Sequence, residues 1–409
     1  MRVLYISYDG MTDPLGQAQV LPYLLGLRAS GHEIELLSFE KPERAGQAPS
    51  VRRRLEEAGI RWRPLRYHRR ARSLATAFDL AQGAIALERV QRDFRPHVVH
   101  CRSYIAGALG LLGKRRHGWR LLFDMRGFWI DERLEGGALR PGALCRGLRR
   151  LERALVREAD AIVSLSQAGL AELRRWPYVD ATIARRLHQV PTCTDTGRFS
   201  AAFAARLARP AEASPVLLYL GSFGLRHPPE LTLAFLRAAG RALPTARFEL
   251  LVADGQAAIA SGLAATGIDP ARIRLDAVPP AEVPSRLAAA DLAFFFVRQT
   301  YSAVASAPTK LAELLAAGVP VVCGPGVGDV DAILAAHDVG RTVDPTDAPA
   351  VAAALADVQA LLARDRRGLA ERCRRVAVEL FDLSVGVARY DAIYRSLDCG
   401  MIAGRNVPK

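Results

Sequence analysis

The stretch Ser306-Ala-Pro-Thr-Lys-Leu-Ala-Glu-Leu-Leu-Ala-Ala-Gly-Val-Pro-Val-Val322 reads as loop, helix, glycine stop and buried strand. Pro308 suits the first turn, Leu311, Leu314 and Leu315 line one face, and Gly318 ends the helix. Val319–Val322 then carries the apolar run of a strand covered on both sides, as parallel sheets require. Lys310 and Glu313 stand three apart and share a face near the helix start. Placed there they fit a nucleoside diphosphate sugar: Lys310 and the helix amides turn to the diphosphate, and Glu313 accepts hydrogen bonds from a ribose diol. Two such residues in isolation are also an ordinary ion pair, so both readings stand at this point.

The same alternation of strand and helix runs outward through the chain. Toward the amino end the strands are Arg2–Ser7, Glu33–Ser38, His97–Cys101, Arg120–Asp124 and Ala161–Leu165, with a first helix from about Gly16 to Ser30. Around the central stretch they are Val216–Leu220, Phe248–Val252, Ile273–Leu275, Leu292–Phe296 and Val319–Val322. The expected fold is α/β, with two Rossmann-like doubly wound parallel sheets. The expected boundaries are 1–200 for the first domain, an Ala/Arg/Pro-rich linker at 201–214, 215–375 for the second domain, and a helical segment over 376–409.

Composition is compatible with this. The chain has 409 residues, of which 50% are hydrophobic and 24% charged, which excludes a disordered, collagen-like or coiled-coil protein. No apolar run reaches the roughly 18 residues of a membrane span, and the opening Met1-Arg-Val-Leu-Tyr-Ile-Ser is too short for a secretory signal. Cysteines at 101, 145, 193, 323, 373 and 399 form no C-x-x-C pair, so reduced structural thiols and a cytoplasmic location are expected. The net charge of +14 is lopsided: residues 1–200 carry +13 and residues 201–409 carry +1. A solvated surface accounts for this, and so does a face for polyanions, either nucleic acid or an anionic membrane.

The loop between the first strand and first helix, Asp9 to Gln19, lies at the carboxyl edge of the sheet, where open α/β folds bind ligands. Gly16 lets backbone amides approach a phosphate there, or is a plain turn glycine. The loop lacks G-x-G-x-x-G, which disfavours a nicotinamide or flavin dinucleotide. Asp329-Val-Asp331 spells a metal-type D-x-D, but it follows Gly324-Pro-Gly-Val-Gly and opens a helix, where Asp is a common cap. No divalent ion and no cofactor are expected.

With these landmarks in order, joined by Gly31-His-Glu, Val98-Val-His-Cys, Ala159-Asp-Ala-Ile-Val-Ser-Leu-Ser, Val190-Pro-Thr-Cys-Thr-Asp-Thr-Gly-Arg-Phe, Leu218-Tyr-Leu-Gly-Ser-Phe-Gly and Ala289-Ala-Asp-Leu-Ala, the chain resembles the retaining nucleotide-sugar glycosyltransferases of family 4, of GT-B architecture. The resemblance covers nearly the whole chain. It implies two Rossmann-like domains facing a cleft, a donor held mainly by the second domain, and a last helix crossing back to the first. It implies donor contacts from Gly16, Ser222, Arg226, His227, Ser306, Thr309, Lys310 and Glu313. The chain departs from the family at three of its usual places: Ala305 stands where a first Glu is common, Ser222 where an Arg is, and His227 where a Lys is. Diphosphate charge then falls to Arg226, His227 and Lys310.

In the first domain the resemblance points to Phe123-Asp-Met-Arg-Gly-Phe-Trp-Ile-Asp-Glu-Arg, where Arg126 replaces the more usual His. A guanidinium cannot act as a base near neutral pH, so Arg126 would orient the acceptor or stabilise phosphate charge. Asp124, Asp131 and Glu132 are possible orienters. The implied catalytic set is Arg126, Asp124 and Lys310, working by front-face retention in which the leaving diphosphate helps deprotonate the acceptor hydroxyl. The partners implied are a nucleotide-sugar donor and a glycan or polyprenyl-diphosphate-linked acceptor, with nucleic acid disfavoured. The basic stretches Arg52–Arg54, Arg61–Arg72 and Lys114–Arg116 belong to the first domain, as does a helix carrying Arg146, Arg149, Arg150 and Arg153 opposite Leu148, Leu151 and Leu155. That helix is the expected face toward the acceptor and an anionic inner-membrane leaflet, or a plain core helix with a solvated side. Rival readings are a nucleotide-sugar 2-epimerase of the same fold and a binding subunit without catalysis.

Overall fold

The computed structural model describes residues 1–69, 72–210 and 214–404, and the side chains of these apart from 72, 73 and 399–404. The chain forms two compact units. Unit 1 contains Met1–Pro191 and Leu383 onward, and unit 2 contains Thr192–Asp382.

Unit 1 is built on seven strands: β1 (Arg2–Ser7), β2 (Glu33–Glu40), β3 (Arg61–Arg66), β4 (Val98–Arg102), β5 (Arg120–Asp124), β6 (Ala161–Ser164) and β7 (Leu187–Gln189). They lie in the order β3-β2-β1-β4-β5-β6-β7, all parallel. In the central β1, Val3 to Ser7 are all buried, because helices cover both faces of a parallel sheet. Unit 2 repeats the scheme with β8 (Val216–Gly221), β9 (Arg247–Val252), β10 (Ile273–Asp276), β11 (Leu292–Phe295), β12 (Val321–Cys323) and β13 (Gly340–Thr342), in the order β10-β9-β8-β11-β12-β13. In each sheet the strand order reverses beside the first strand, between β1 and β4 and between β8 and β11. Loops leaving neighbouring strands there turn to opposite faces and open a crevice at the carboxyl edge.

Three strands, β3, β7 and β13, are absent from the sequence reading. β3, Arg-Trp-Arg-Pro-Leu-Arg, alternates exposed arginines with a buried Trp62 and carries Pro64, which an edge strand tolerates. Its Arg63 is ion-paired with Glu35 of β2, a carboxylate with no exposure. A stretch that looks like basic surface is a sheet edge neutralised from within. β7 and β13 have three residues each, too few for a period.

The boundaries expected at 200 and 376 fall inside elements of unit 2. Ser200–Ala208, placed in the expected linker, is a helix tied to the sheet by charge: Arg206 donates to the carbonyls of Ala290 and Asp291. Asp291 itself accepts from Arg209, Arg366 and the amide of Val216. Residues 211–213 of that linker lie outside the described residues. The chain returns to unit 1 at Leu383, after the long helical stretch Ala348–Phe381, and the final helix Leu383–Gly404 packs on the helix Leu21–Ala29. The first helix is broken in two, Pro14–Gln19 and Leu21–Ala29, with Pro22 at the restart. Five cysteines are free thiols, and the side chain of Cys399 lies outside those described.

The loop after β1 is held from β2. Glu40 accepts hydrogen bonds from the amides of Met11 (2.8 Å) and Thr12 (3.0 Å) and from the Thr12 hydroxyl (2.7 Å). Asp13 pairs with Lys41 at 2.7 Å and Arg44 at 3.1 Å. Gly16 closes the arrangement: a Cβ there would overlap the carbonyl oxygen of Gly10 and lie 2.8 Å from the Met11 Cα. Both are backbone atoms of a pinned loop, so they yield only with the loop. Gly16→Ala is therefore expected to cost about 1–3 kcal/mol of overpacking. Thermal melting of the ligand-free protein should read this as a fall of roughly 3–10 °C, and an unchanged melting point would show that the loop gives way freely.

Candidate active site

Unit 2 gathers its candidate residues at the crevice beside β8. Lys310 is the second residue of the helix Thr309–Ala316, and its ammonium reaches back to the end of β8. There it lies 5.4 Å from the ring centre of Tyr219 and 5.4 Å from that of Phe295. Gly221 makes room for it, since a Cβ at that position would collide with Lys310 Nζ. Nζ is shut off from solvent with no hydrogen-bond partner. Burial pushes the ammonium from its ordinary 10.5 down to about 7, and Glu313 offsets only part of this. Burial likewise raises the Glu313 carboxyl, against the pull of Arg198 and Lys310. The pair is thus no surface ion pair: the acid is partly buried, and the cation is held from water without a partner.

The loop after β8 supplies the rest. His227 Nδ1 is 2.9 Å from the carbonyl of Phe296, next after β11. Burial lowers its pKa to about 4, with Lys310 and Arg226 adding repulsion, so the ring is neutral. With Nδ1–H donating to that carbonyl, Nε2 carries the lone pair. Arg226 Nη2 donates to Ser306 Oγ at 2.5 Å, which links the loop after β8 to the loop before the Lys310 helix. The Ser222 carbonyl accepts from Tyr219 OH at 3.3 Å. Thr309 is the first residue of the Lys310 helix. Ala305, where relatives often have a carboxylate, is buried. Tyr219 and Phe295 went unnoticed in the sequence because buried aromatics at strand ends look like core.

Unit 1 has its own polar cluster at the end of β4 and β5, and Asp124 and Arg126 both belong to it. Asp124 Oδ2 accepts from Tyr390 OH at 3.0 Å, and lies 3.6 Å from His100 Nε2 and 4.0 Å from Arg126 Nη1. His100 Nδ1 is 2.7 Å from Tyr394 OH. Arg126 has φ of +58°, a strained conformation for a non-glycine residue, and it turns the guanidinium inward, where Nη2 donates to Gln19 Oε1 at 3.0 Å. Arg102 donates to the same oxygen at 3.0 Å. Burial works to raise the Asp124 carboxyl, but Arg126, then His100 and Arg102, outweigh it and hold it below the usual carboxylate range. Burial keeps His100 neutral. Asp124 Oδ1 and His100 Nε2 are buried without hydrogen-bond partners. They border a recess, too tight as it stands to admit a water molecule, that Tyr5, Gln19, Tyr23, Arg102 and Arg126 also line. An ionised carboxylate with a vacant lone pair accepts a hydroxyl proton donor, and the two guanidiniums favour an anion.

His100, Arg102, Tyr390 and Tyr394 were not singled out by the sequence. The signal for the tyrosines was their spacing of four on a helix, which puts both on one face. Gly16 also lies in unit 1, and its missing Cβ is used against its own loop.

The arginine helix Ala143–Glu158 requires a correction. Arg149 is not on a free basic face: it is bound to Asp131 and, at 3.0 Å, to the buried Glu152, which also accepts from Tyr104 OH at 2.8 Å. Asp131 is thereby committed to structure. Arg153 lies 4.9 Å from the ring centre of Tyr178. Arg146 and Arg150 are exposed. Among the described residues no group of three His, Cys, Asp or Glu side chains is arranged to hold a metal ion, and Asp331 accepts the Gly326 amide at 2.8 Å. No helix among them is long and apolar enough to cross a membrane.

Residues 16–193 match the model of a glycosyl transferase 4-like domain, and residues 214–360 that of the glycosyl transferases group 1. No curated protein matches the sequence. Among solved structures, the sucrose-phosphate synthase of Thermosynechococcus elongatus is similar with a TM-score of 0.72 and 18% identity, over 98% of this chain and 99% of that one. A glycosyltransferase from Rickettsia africae gives 0.71 and 12%, over 97% and 98%. Anabaena HepE, in complex with UDP and glucose, gives 0.65 and 13%, over 97% and 100%. At these identities the likeness speaks for the fold, and the tandem family models speak for the lineage. Two doubly wound parallel sheets, each matched in turn by its own glycosyltransferase model, make this chain a member of the family 4-like glycosyltransferases with the GT-B fold.

Proposed function

We propose that the enzyme moves a sugar, with retention, from a nucleoside diphosphate to a hydroxyl of a glycan or polyprenyl-diphosphate-linked acceptor in surface-glycan assembly. It does so in the cytoplasm at the inner face of a membrane, without a metal ion. The observation that carries this reading is the Lys310 ammonium, solvent-free and unpartnered at the crevice of the second sheet. An unpaired buried cation is costly, and a diphosphate supplies the missing anion. A nucleotide-sugar donor is in keeping with the Anabaena neighbour, whose complex holds UDP and glucose.

In this reading Lys310, Arg226 and the amides of Thr309 and Lys310 take up the charge that grows on the diphosphate as the glycosidic bond breaks. Ser222 and Ser306 offer hydroxyls to the phosphate oxygens. His227, neutral in the free enzyme, becomes a donor once it gains a proton beside the diphosphate. Glu313 accepts from the ribose diol. In unit 1 Asp124 accepts from an acceptor hydroxyl and orients it, and Arg126 steadies negative charge on the acceptor. The departing diphosphate oxygen takes the hydroxyl proton on the face the sugar leaves from, so configuration is kept.

A thermal-shift panel of UDP-, GDP- and ADP-sugars tests the donor site, since a bound donor stabilises by mass action. One of these should raise the melting point, and Glu313→Ala should abolish the rise while leaving the ligand-free protein within a few degrees. An undiminished rise removes Glu313 from the site. Lys310→Met carries an opposite pair of signs: near pH 7 and below it should stabilise the ligand-free fold, because a buried, unpartnered charge is gone, while lowering kcat by about 10²-fold or more. A destabilised variant with normal turnover would assign Lys310 to the fold alone.

The same lysine sets a pH dependence. Its pKa in the free enzyme is about 7, and a bound diphosphate raises it, so binding takes up a proton above that pH. Donor affinity should fall as pH rises through 7 to 9. Calorimetry in buffers of different ionisation enthalpy should report proton uptake at pH 8, and none at that pH for Lys310→Met.

A further inference from the structure

The helix Arg72–Asp93 is apolar on two opposite sides, and only one is covered. Ala75, Ala86, Leu87 and Val90 are buried within unit 1, and Gly83 backs onto Leu109 of the helix Ser103–His117. On the other side Leu74, Phe78 and Ile85 are 75%, 59% and 60% exposed. At 100° per residue these three fall within a sector of about 40°. Ala77 and Ala81 flank the stripe, and between Leu74 and Ile85 no charged residue falls on this side; Glu88 follows at its edge. A helix of this make-up belongs inside a protein or against another surface.

Arginines border the stripe. Arg89 and Arg92 continue the same side beyond Ile85, and among the described residues neither makes an ion pair. Arg66 is exposed at its flank, because its amide donates to Gln82 Oε1 at 3.3 Å and its carbonyl accepts from Gln82 Nε2 at 3.2 Å. Exposed Arg69 is kept close by His68, whose Nδ1 lies 2.6 Å from the buried Asp79 and whose ring meets Phe78 edge-on at 4.8 Å. Arg69 also touches Glu43 at 3.4 Å. The nearby carboxylates are engaged, Glu88 with Arg116 and Asp93 with Arg63.

We propose that this side of the helix docks on an anionic lipid bilayer, with Leu74, Phe78 and Ile85 at the acyl boundary and Arg66, Arg69, Arg89 and Arg92 among the headgroup phosphates. An apolar centre with a cationic border complements a bilayer surface. It does not complement itself: a two-fold pairing would set arginines against arginines. The inference rests on the reading of a lipid-linked acceptor, and it moves the membrane face from the helix of Arg146–Arg153 to this one.

The test uses the full chain and vesicles of phosphatidylglycerol and phosphatidylcholine, against vesicles of phosphatidylcholine alone. Phe78→Trp should show a blue-shifted emission with the anionic vesicles, and Leu74→Ser/Phe78→Ser/Ile85→Ser should float with them at least about tenfold more weakly than the parent. Should the triple variant melt early, Arg89→Glu/Arg92→Glu must show the same loss. Arg146→Glu/Arg150→Glu, on the other helix, should float as the parent does. An unshifted Phe78→Trp emission, undiminished flotation of the variants, or a dimer by sedimentation velocity that the triple variant dissolves would each overturn the docking face. The donor thermal shift is followed in the same samples. Its absence in the parent counts against the donor reading, and its presence with lost flotation isolates the membrane contact.

Discussion

An ammonium kept from water without a counter-charge lowers its own pKa and the stability of the fold around it. Unit 2 nevertheless places Lys310 in that condition, with two aromatic rings and a glycine arranged to admit it. Much of the local design follows. The rings give quadrupolar attraction and no hydrogen bond, so the charge is tolerated without being satisfied. His227 stays neutral because it is buried, and Lys310 adds to the effect. Arg226, of like charge, is turned to Ser306. An anion entering such a place meets donors that need little rearrangement, which is the condition for strong electrostatic stabilisation.

Unit 1 meets the complementary problem differently. Its carboxylate, Asp124, is buried yet ionised, because Arg126, then His100 and Arg102, outweigh its burial. Two of the groups that complete this interior come from the last helix: Tyr390 bonds to Asp124 and Tyr394 to His100. The same helix caps the unit at its rim, where Asp391 pairs with His32 and Arg389 donates to the carbonyl of Gln189. The polar interior of unit 1 is therefore held by residues more than 250 positions apart.

Most of the architecture was legible, because strands covered on both faces must be apolar runs, and β1, β4, β5, β8 and β11 are such runs. The helix stop at Gly318 was legible too, since the residue adopts a φ of +78°. The edge strand β3 was not: a strand with one open side carries charge, and charge reads as surface. Lys310 and Glu313 could be placed on one side of a helix by spacing, but not their burial, which depends on rings from two strands distant in sequence. Arg149 shows the converse. Helical geometry assigned it to the basic side, while Asp131 and the buried Glu152, one of them from another element, claimed it.

The return of the chain to unit 1 at Leu383 has a consequence for biogenesis. At roughly 5–20 residues per second, a ribosome needs about 10–40 s to pass from Pro191 to Leu383. During that interval the sheet of unit 1 has emerged, but Asp124 and His100 still lack Tyr390 and Tyr394. Unit 2, made of one uninterrupted segment, can reach its native form meanwhile. Unit 1 waits for the carboxyl terminus, so a chain released short of Tyr390 has a complete unit 2 and an open polar interior in unit 1.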